Sequence, residues 1–353
     1  MINFALIVLL LYIIQIFYYA KGWGRLSQFE DNKAVKLSIV VAFRNEAKYL
    51  PLLLADLKNQ NYPKTHLEFI FVDDSSEDNS FDLIDSFPVK KILLKSPQAG
   101  KKSAIEFGIQ HASSDVILTT DADCRVGTNW LIKMMAPFVD NDVQFVFGPV
   151  AYRPLTNLFD RFQALEFMSL IASGAGAVGN NKPFMCNAAN MAFRKSIYKS
   201  TEHQIASGDD VFLLHHVKRN KGKIHFVKEQ EAIVYTHPKS TLSDFINQRK
   251  RWASKSSSYK DKSALWSALL VFSTNLIFLY FILSFNIKAL VLTYLIKSVT
   301  DYLFLKRVAS FFELNKIIPL FWILQFIYPI YIVWVALSSQ LNTYEWKGRS
   351  YKK

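Results

Sequence analysis

Two kinds of hydrophobic pattern divide this chain. Long apolar stretches lie at its two ends, and short β-branched runs alternate with amphipathic segments between them. Ile2 to Ala20 is apolar apart from Asn3 and Gln15. At ~1.5 Å per residue that run covers roughly 28 Å, close to the ~30 Å hydrocarbon core of a bilayer. The first basic residues, Lys21 and Arg25, follow the run instead of preceding it. That order predicts an uncleaved anchor over residues 1–21, with the following residues on the cytoplasmic side. A second apolar region covers residues 265–341. It reads as Leu265–Phe285, a less clean Ile287–Leu305 carrying Lys288, Lys297 and Asp301, and Ile317–Leu337 with Pro329 inside it. Lys297 and Asp301 are four apart on one helix face, a spacing that allows pairing. One anchor plus three C-terminal spans would put the basic tail, residues 342–353, outside, against the positive-inside tendency. Two arrangements stay open: one apolar segment lies in the interface or re-enters, or the tail is an exception.

Residues 35–240 carry the alternation of an α/β domain. Leu37–Ala42, Leu67–Val72, Val116–Thr120 and Val143–Val150 read as strands, and Ala47–Gln60, Ser80–Phe87 and Lys101–His111 as helices. The order predicts a mostly parallel, Rossmann-like sheet with right-handed crossovers. No Gly-x-Gly-x-x-Gly follows the first strand, so the dinucleotide-binding fingerprint is missing. Residues 241–264 form a basic segment with an interfacial reading, leading into the second apolar region. Leu155–Ile171 has an apolar stripe with Arg161 and Glu166 opposite it, which fits either an interfacial or a core-facing helix.

Composition narrows the class. The chain has 353 residues, 51% of them hydrophobic, too apolar for disorder. The formal net charge of +13 raises a nucleic-acid reading, but the basic residues form no nucleic-acid module. Beside apolar spans, attraction to anionic lipid and to a phosphate-bearing ligand explains them better. Two cysteines, Cys124 and Cys186, are too few for a disulfide framework or a structural zinc site.

The chemistry sits in short acidic clusters at strand ends. The first strand runs into Phe43-Arg44-Asn45-Glu46, where Asn45 reads as a helix N-cap. The second ends at Asp73-Asp74, and the run from Val116 ends at Asp121-Ala-Asp123. Alternate residues on an extended segment project the same way, so Asp121 and Asp123 can serve one cation bound to a diphosphate. A third cluster is Asp209-Asp210, and a basic stretch follows at Gln248-Arg-Lys-Arg251-Trp252. Carboxylates at the carboxyl ends of parallel strands suit a divalent cation and a phosphorylated ligand. Gly100-Lys101-Lys102 opens a helix and can hold phosphate through its amides and ammonium groups, or be a solvated helix start. His215 and His216 read as ordinary helix residues.

Together these motifs resemble those of the family 2 glycosyltransferases, inverting enzymes with a GT-A fold, over about residues 35–255. Phe43-Arg-Asn-Glu46 and Asp73-Asp74 match the nucleotide-binding loops, and Asp121-Ala-Asp123 matches the metal-binding Asp-x-Asp. Asp209-Asp210 stands where the family has Glu-Asp, and Gln248-Arg-Lys-Arg-Trp252 matches the Gln-x-x-Arg-Trp of membrane-bound members. The resemblance implies donor contacts from Phe43, Arg44, Glu46, Asp73, Asp74, Lys101, Lys102 and Asp121. Within that set, Asp73 or Asp74 would meet the uracil and ribose. It makes Asp123 the principal metal ligand, with Asp121 near the ribose or the metal. It makes Asp210 the general base, while Asp209 in place of Glu leaves open which of the two carboxylates reaches the acceptor. It gives Asn187, in a loop resembling the family's acceptor side, together with Gln248, Arg251 and Trp252, to the acceptor and diphosphate. Asn190 falls in the same loop.

The expectation is therefore a membrane-anchored hexosyl- or N-acetylhexosaminyltransferase. It would use a nucleotide sugar, with a UDP-sugar favoured, and Mg²⁺ or Mn²⁺. Its acceptor would be the hydroxyl of a lipid or lipid-linked compound, and its setting a bacterial cytoplasmic membrane with the catalytic domain in the cytoplasm. Alternatives are a processive polysaccharide synthase extending a glycan, a nucleotide-sugar-binding membrane protein without turnover, and a membrane phosphohydrolase, against which the Gln-x-x-Arg-Trp match argues.

Overall fold

The computed structural model describes residues 2–30, 33–198, 209–255, 259–341, 344–346 and 349–351, without the side chains of Asp209 and of residues from 341 onward. The helices are α1 (Ile2–Gly24), α2 (Leu50–Lys58), α3 (Ser80–Asp85), α4 (Lys101–His111), α5 (Trp130–Met135), α6 (Leu158–Gly179), α7 (Asp209–Arg219), α8 (Leu242–Ser254), α9 (Lys262–Leu283), α10 (Ile287–Ala309) and α11 (Phe321–Leu341). The strands are β1 (Leu37–Phe43), β2 (Leu67–Asp73), β3 (Lys91–Lys95), β4 (Val116–Thr119), β5 (Arg125–Val126), β6 (Val143–Phe147), β7 (Val150–Tyr152), β8 (Met191–Arg194), β9 (Lys223–Phe226), β10 (Val234–Thr236), β11 (Tyr344–Trp346) and β12 (Arg349–Tyr351). The chain forms two compact units. One joins Leu26–Arg153 to Met185–His237, and the other joins Met1–Arg25, Pro154–Phe184 and Pro238–Lys353. Pro154–Phe184, read from sequence as part of the α/β domain, thus packs with the apolar helices.

The α/β unit is built on a seven-stranded sheet of order β3-β2-β1-β4-β8-β6-β9. β2, β3 and β4 join β1 in a parallel block, and β9 lies parallel to β6. Only β8 runs against its neighbours, β4 and β6. Every residue of β1 and of β4 is buried, which accounts for their near-continuous apolar runs, broken by Ser38 and ended by Thr119. The stretch read as one strand, Val143–Val150, is two. β6 stops at Phe147, and Val150 begins β7, which pairs with β10 in a small second sheet, order β5-β10-β7. Pro149, lacking an N–H, breaks the ladder there. Helix α2 begins at Leu50 with a proline in its first turn, not at Ala47. Asn45 sits at φ 52° and is not its N-cap.

The other unit gathers the long helices. Ile2–Gly24, Lys262–Leu283 and Asn315–Gln340 are each long and apolar enough to cross a membrane. Helix α10 carries charge, and the charge at its middle is turned inward. Lys297 and Asp301 are buried, whereas Leu292, Leu295, Val299 and Leu303 are exposed, with Lys288, Lys306 and Arg307 exposed toward its two ends. The i,i+4 pair forms at 2.8 Å. Lys297 Nζ also donates to Gln325 Oε1 at 2.7 Å, and Tyr12 Oη donates to Asp301 Oδ1 at 2.7 Å. Three helices, α1, α10 and α11, thereby share one ionic cluster.

Helix α6 opens with a capping box between Asn157 and Asp160 and is buried along most of its length. Glu166 is buried with most of the helix, whereas Arg161 is exposed. Its C-terminal half meets α1 backbone to backbone. A Cβ added at Gly176 would lie 2.3 Å from the Tyr19 carbonyl oxygen, and one at Gly179 would lie 2.0 Å from that of Gly22. Small residues here allow the close approach. Gly176→Val is expected to force the helices apart and to destabilise this unit by about 1–3 kcal/mol, a typical cost of overpacking. Gly24→Ala, with open space around it, should melt like the parent in the same detergent. Equal melting of the two variants would remove the close crossing as a source of stability.

Candidate active site

The carboxyl edge of the parallel block is where the sequence motifs of the α/β unit meet. Phe43 ends β1 opposite Asp73 of β2. The Asp74 N–H donates to the Phe43 carbonyl at 2.8 Å, and the Ser96 N–H to the Asp73 carbonyl at 2.8 Å. These bonds tie the exits of β1, β2 and β3 together. The Phe43 side chain is buried in the core, which leaves the backbone of Phe43, and not its ring, at this edge. Arg44 lies 3.6 Å from Glu77. The loop after β1 is held by the loop after β2. The Glu46 N–H donates to Ser80 Oγ at 2.8 Å, the Ala47 N–H to Asp78 Oδ2 at 3.0 Å, and the Glu77 N–H to Asn45 Oδ1 at 2.8 Å. Burial works against the Asp78 carboxylate, yet hydrogen bonds from the Ser80 hydroxyl and the Ala47 and Ser80 amides outweigh it and hold the carboxyl below its usual range.

Both aspartates at the end of β2, Asp73 and Asp74, are buried and serve the turn. Asp73 Oδ1 accepts from the Ser76 N–H at 3.0 Å, and Asp74 Oδ1 accepts from the Gly100 N–H at 2.6 Å. Gly100 precedes α4 at φ 122°, a backbone geometry that side chains disfavour. Next to it, the Lys101 ammonium pairs with Asp121, and both side chains are about one-third exposed (30% and 33%). The start of α4 therefore bridges the two acidic turns, through its amide to Asp74 and its first side chain to Asp121. Lys102 is half-buried in the same helical turn.

Asp121 and Asp123 flank the turn after β4, both half-buried, with the Cys124 N–H closing onto the Asp121 carbonyl at 3.1 Å. Burial pushes the Cys124 thiol well above its ordinary range, with Asp123 and Asp121 adding to the effect. It is no nucleophile. Among the described residues no three His, Cys, Asp or Glu side chains are grouped to hold a metal ion. Two hard carboxylates are nonetheless the set that Mg²⁺ or Mn²⁺ takes when substrate phosphates complete its shell.

Register brings the last acidic cluster to the same edge. Thr119 of β4 faces Met191 of β8, so the residues before β8 lie at the exit of β4. There the Thr119 hydroxyl donates to the Ala188 carbonyl at 2.8 Å, and the Ala188 N–H donates to Asp210 Oδ2 at 3.1 Å. Asp210 stands in the first turn of α7, half-buried. The side chain of Asp209 lies outside the described residues. Asn187 caps a short 3₁₀ turn by accepting from the Ala189 N–H at 2.9 Å. Asn190 is fully buried and structural, accepting from Trp130 Nε1 and donating to the Pro149 and Ala232 carbonyls. It has no group left for a sugar hydroxyl.

Gln248, Arg251 and Trp252 belong to the other unit, on α8. Gln248, Arg251 and Trp252 are half-buried, whereas Arg249 between them is buried against Glu166 of α6. Sequence reasoning placed Arg249 in the interfacial basic segment and Glu166 opposite an apolar stripe, and did not pair them. Their partnership spans 83 positions, and an arginine inside a run of basic residues carries no sign that it is the buried one. Ser80 and the Ala188 amide were missed as well, since each acts through a hydrogen bond that only the fold creates.

Residues 38–201 match the family model described as "Glycosyl transferase family 2". Among curated relatives, the chain is similar to Glycosyltransferase AglE of Haloferax volcanii, 21% identical over 228 residues, covering 61% of this chain and 71% of that one. It is also similar to the poly-beta-1,6-N-acetyl-D-glucosamine synthase of Staphylococcus epidermidis, 23% identical over 239 residues. That match covers 64% of this chain but only 55% of the synthase. Among solved structures, the mannosyltransferase PcManGT of Pyrobaculum calidifontis, in complex with GDP-Man and Mn²⁺, aligns over 97% of this chain and 99% of its own, with a TM-score of 0.62 and 14% identity. That likeness establishes a shared fold.

Proposed function

Because this chain belongs, through its residues 38–201, to glycosyltransferase family 2, we propose that it moves a sugar from a nucleotide sugar to a hydroxyl of a lipid or lipid-linked acceptor at a membrane. One observation supports this above the others: the acidic turns after β2 and β4 and the Asp210 carboxylate are gathered at one sheet edge, linked through Gly100, Lys101 and Ala188. In the proposed reaction the acceptor oxygen forms a bond to the anomeric carbon as the bond from that carbon to the diphosphate oxygen breaks. Asp210 takes the acceptor proton, a role that needs a carboxylate within hydrogen-bond reach. The displacement is direct and inverts the anomeric centre. It needs no enzyme nucleophile, in keeping with the inert Cys124 thiol.

The base and ribose of the donor fall to the turn at Asp73 and Asp74 and the loop Arg44–Glu46, which the cross-loop hydrogen bonds hold rigid. Lys101 and Lys102 offer ammonium groups to the diphosphate. Asp123, with Asp121, would hold Mg²⁺ or Mn²⁺. Such an ion supplies Lewis-acid stabilisation of the charge developing on the departing nucleoside diphosphate. For Asn187, Gln248, Arg251 and Trp252 the reading rests on the motif, which assigns them to acceptor and diphosphate. The membrane setting draws on the apolar helices and on Lys21 in the last turn of α1 and Arg25 after it, which favour a cytoplasmic α/β unit.

The donor is open to test. A UDP-sugar leads, and GDP-mannose belongs in the panel because the solved mannosyltransferase holds it. Membranes containing the protein should transfer label from one of these donors into the lipid extract, identified by mass. Label in a long glycan would instead make it a polymerising enzyme, and no transfer from any donor would refute the proposal. Chelation is expected to stop turnover, and added Mg²⁺ or Mn²⁺ to restore it. A rate indifferent to chelator would remove the metal role from Asp121 and Asp123.

A further inference from the structure

The guanidinium of Arg249 holds more than its salt bridge requires. Its side chain is 3% exposed and that of Glu166 4%. Nε lies 3.1 and 3.2 Å from the two Glu166 oxygens, and Nη2 donates to Glu166 Oε2 as well. Glu166 Oε1 also accepts from the Tyr331 hydroxyl of α11 at 3.1 Å. One edge of the guanidinium thus fastens α8 to α6 and, through Glu166, to α11. The rest of the group turns to the motif. Nη1 donates to Gln248 Oε1, and the guanidinium carbon stands 4.3 Å from the centre of the Trp252 ring. Phe167 of α6 lies 5.8 Å from that ring, tilted by 32°.

A planar cation with five donors can grip a carboxylate with one edge, a side-chain amide with a remaining N–H and an indole with its face. A lysine ammonium is a point charge and cannot do all three. We infer that Arg249 is a positioning residue: it fixes the orientations of Gln248 and Trp252, with Glu166 and Tyr331 as its anchor in the helical unit. What Gln248 and Trp252 then do rests on the glycosyltransferase reading above. The positioning itself is a statement about α6, α8 and α11.

The test uses the full chain in detergent, labelled with 5-fluorotryptophan, its Trp252 resonance assigned with Trp252→Phe. The triple variant Glu166→Met, Arg249→Met, Tyr331→Phe removes the whole network and leaves no member of it buried without a partner. Exchanges of that kind are commonly neutral in stability. It should melt near the parent temperature, shift the Trp252 resonance and lower transfer at least ~100-fold, as small misplacements at reacting centres do. Arg249→Lys keeps the charge and should also shift the resonance, with transfer reduced at least ~10-fold. If the triple variant does not fold, Arg249→Lys decides on the same two readouts. An unmoved resonance in a folded variant overturns the inference, and so does a moved resonance with parental transfer. If the parent transfers no sugar, the glycosyltransferase reading of the motif falls, and the resonance alone still decides whether Arg249 positions Trp252.

Discussion

Purified Asp123→Asn and Asp210→Asn proteins should fold as the parent does and transfer no measurable sugar. Loss of a general base costs typically ~10²–10⁴-fold in rate, and loss of one of the two carboxylates proposed to hold the metal should be no milder. The fold is expected to survive because neither side chain is buried in the core. Asp123 stands half-buried on a turn. Asparagine at 210 can still accept from the Ala188 N–H, so the link from α7 to the exit of β4 persists while the proton acceptor is gone. Removing a negative charge from the first turn of α7 costs about 0.3–1 kcal/mol, too little to unfold the unit. Steady-state transfer and melting curves on both variants decide the matter. Parental rates in either one would strike that residue from the chemistry.

The second large effect concerns stability. Lys297→Met should destabilise the helical unit by about 3–5 kcal/mol, since it strands the buried Asp301 carboxylate without its counter-charge. Tyr12 and Gln325 would continue to donate to Asp301, at 2.7 and 3.2 Å, but both are neutral and cannot replace the ammonium. The double variant Lys297→Met, Asp301→Leu should recover only part of the loss, because apolar residues of similar volume suit that interior while the buried Tyr12 hydroxyl and Gln325 amide lose their partners. Thermal melting in detergent is the measure. A single variant as stable as the parent would mean that the pair contributes nothing.

Much of the candidate edge was legible in the sequence because it is written locally. A strand buried on both faces reads as a near-continuous apolar run. β1 and β4 are buried throughout and β2 from Phe69 onward, so their ends were found to within a residue or two. β3 has a lysine at each end, four half-buried residues and an exposed Lys95, and so gave no comparable signal. Val143–Val150 looked continuous because apolar residues flank Gly148-Pro149, although the second half belongs to another sheet. Asn45 had the residue type of a cap, but its side chain is committed to Glu77. The Lys297–Asp301 pair was foreseeable from a spacing of four, whereas Glu166–Arg249 was not, because contacts between distant segments leave no trace in spacing. Asn190 shows the same limit from the other side. An asparagine beside a candidate site looks like a ligand until its three partners are seen.

The near-touching backbones of α1 and α6 bear on how this protein could be made in soluble form. Trimming the first 25 residues is the obvious route to a water-soluble fragment. It would strip α6, a segment lying far downstream in the chain, of the surface its glycines are shaped to meet. That freshly bared groove would invite aggregation, so a successful shortened version must redesign α6 along with the anchor it loses.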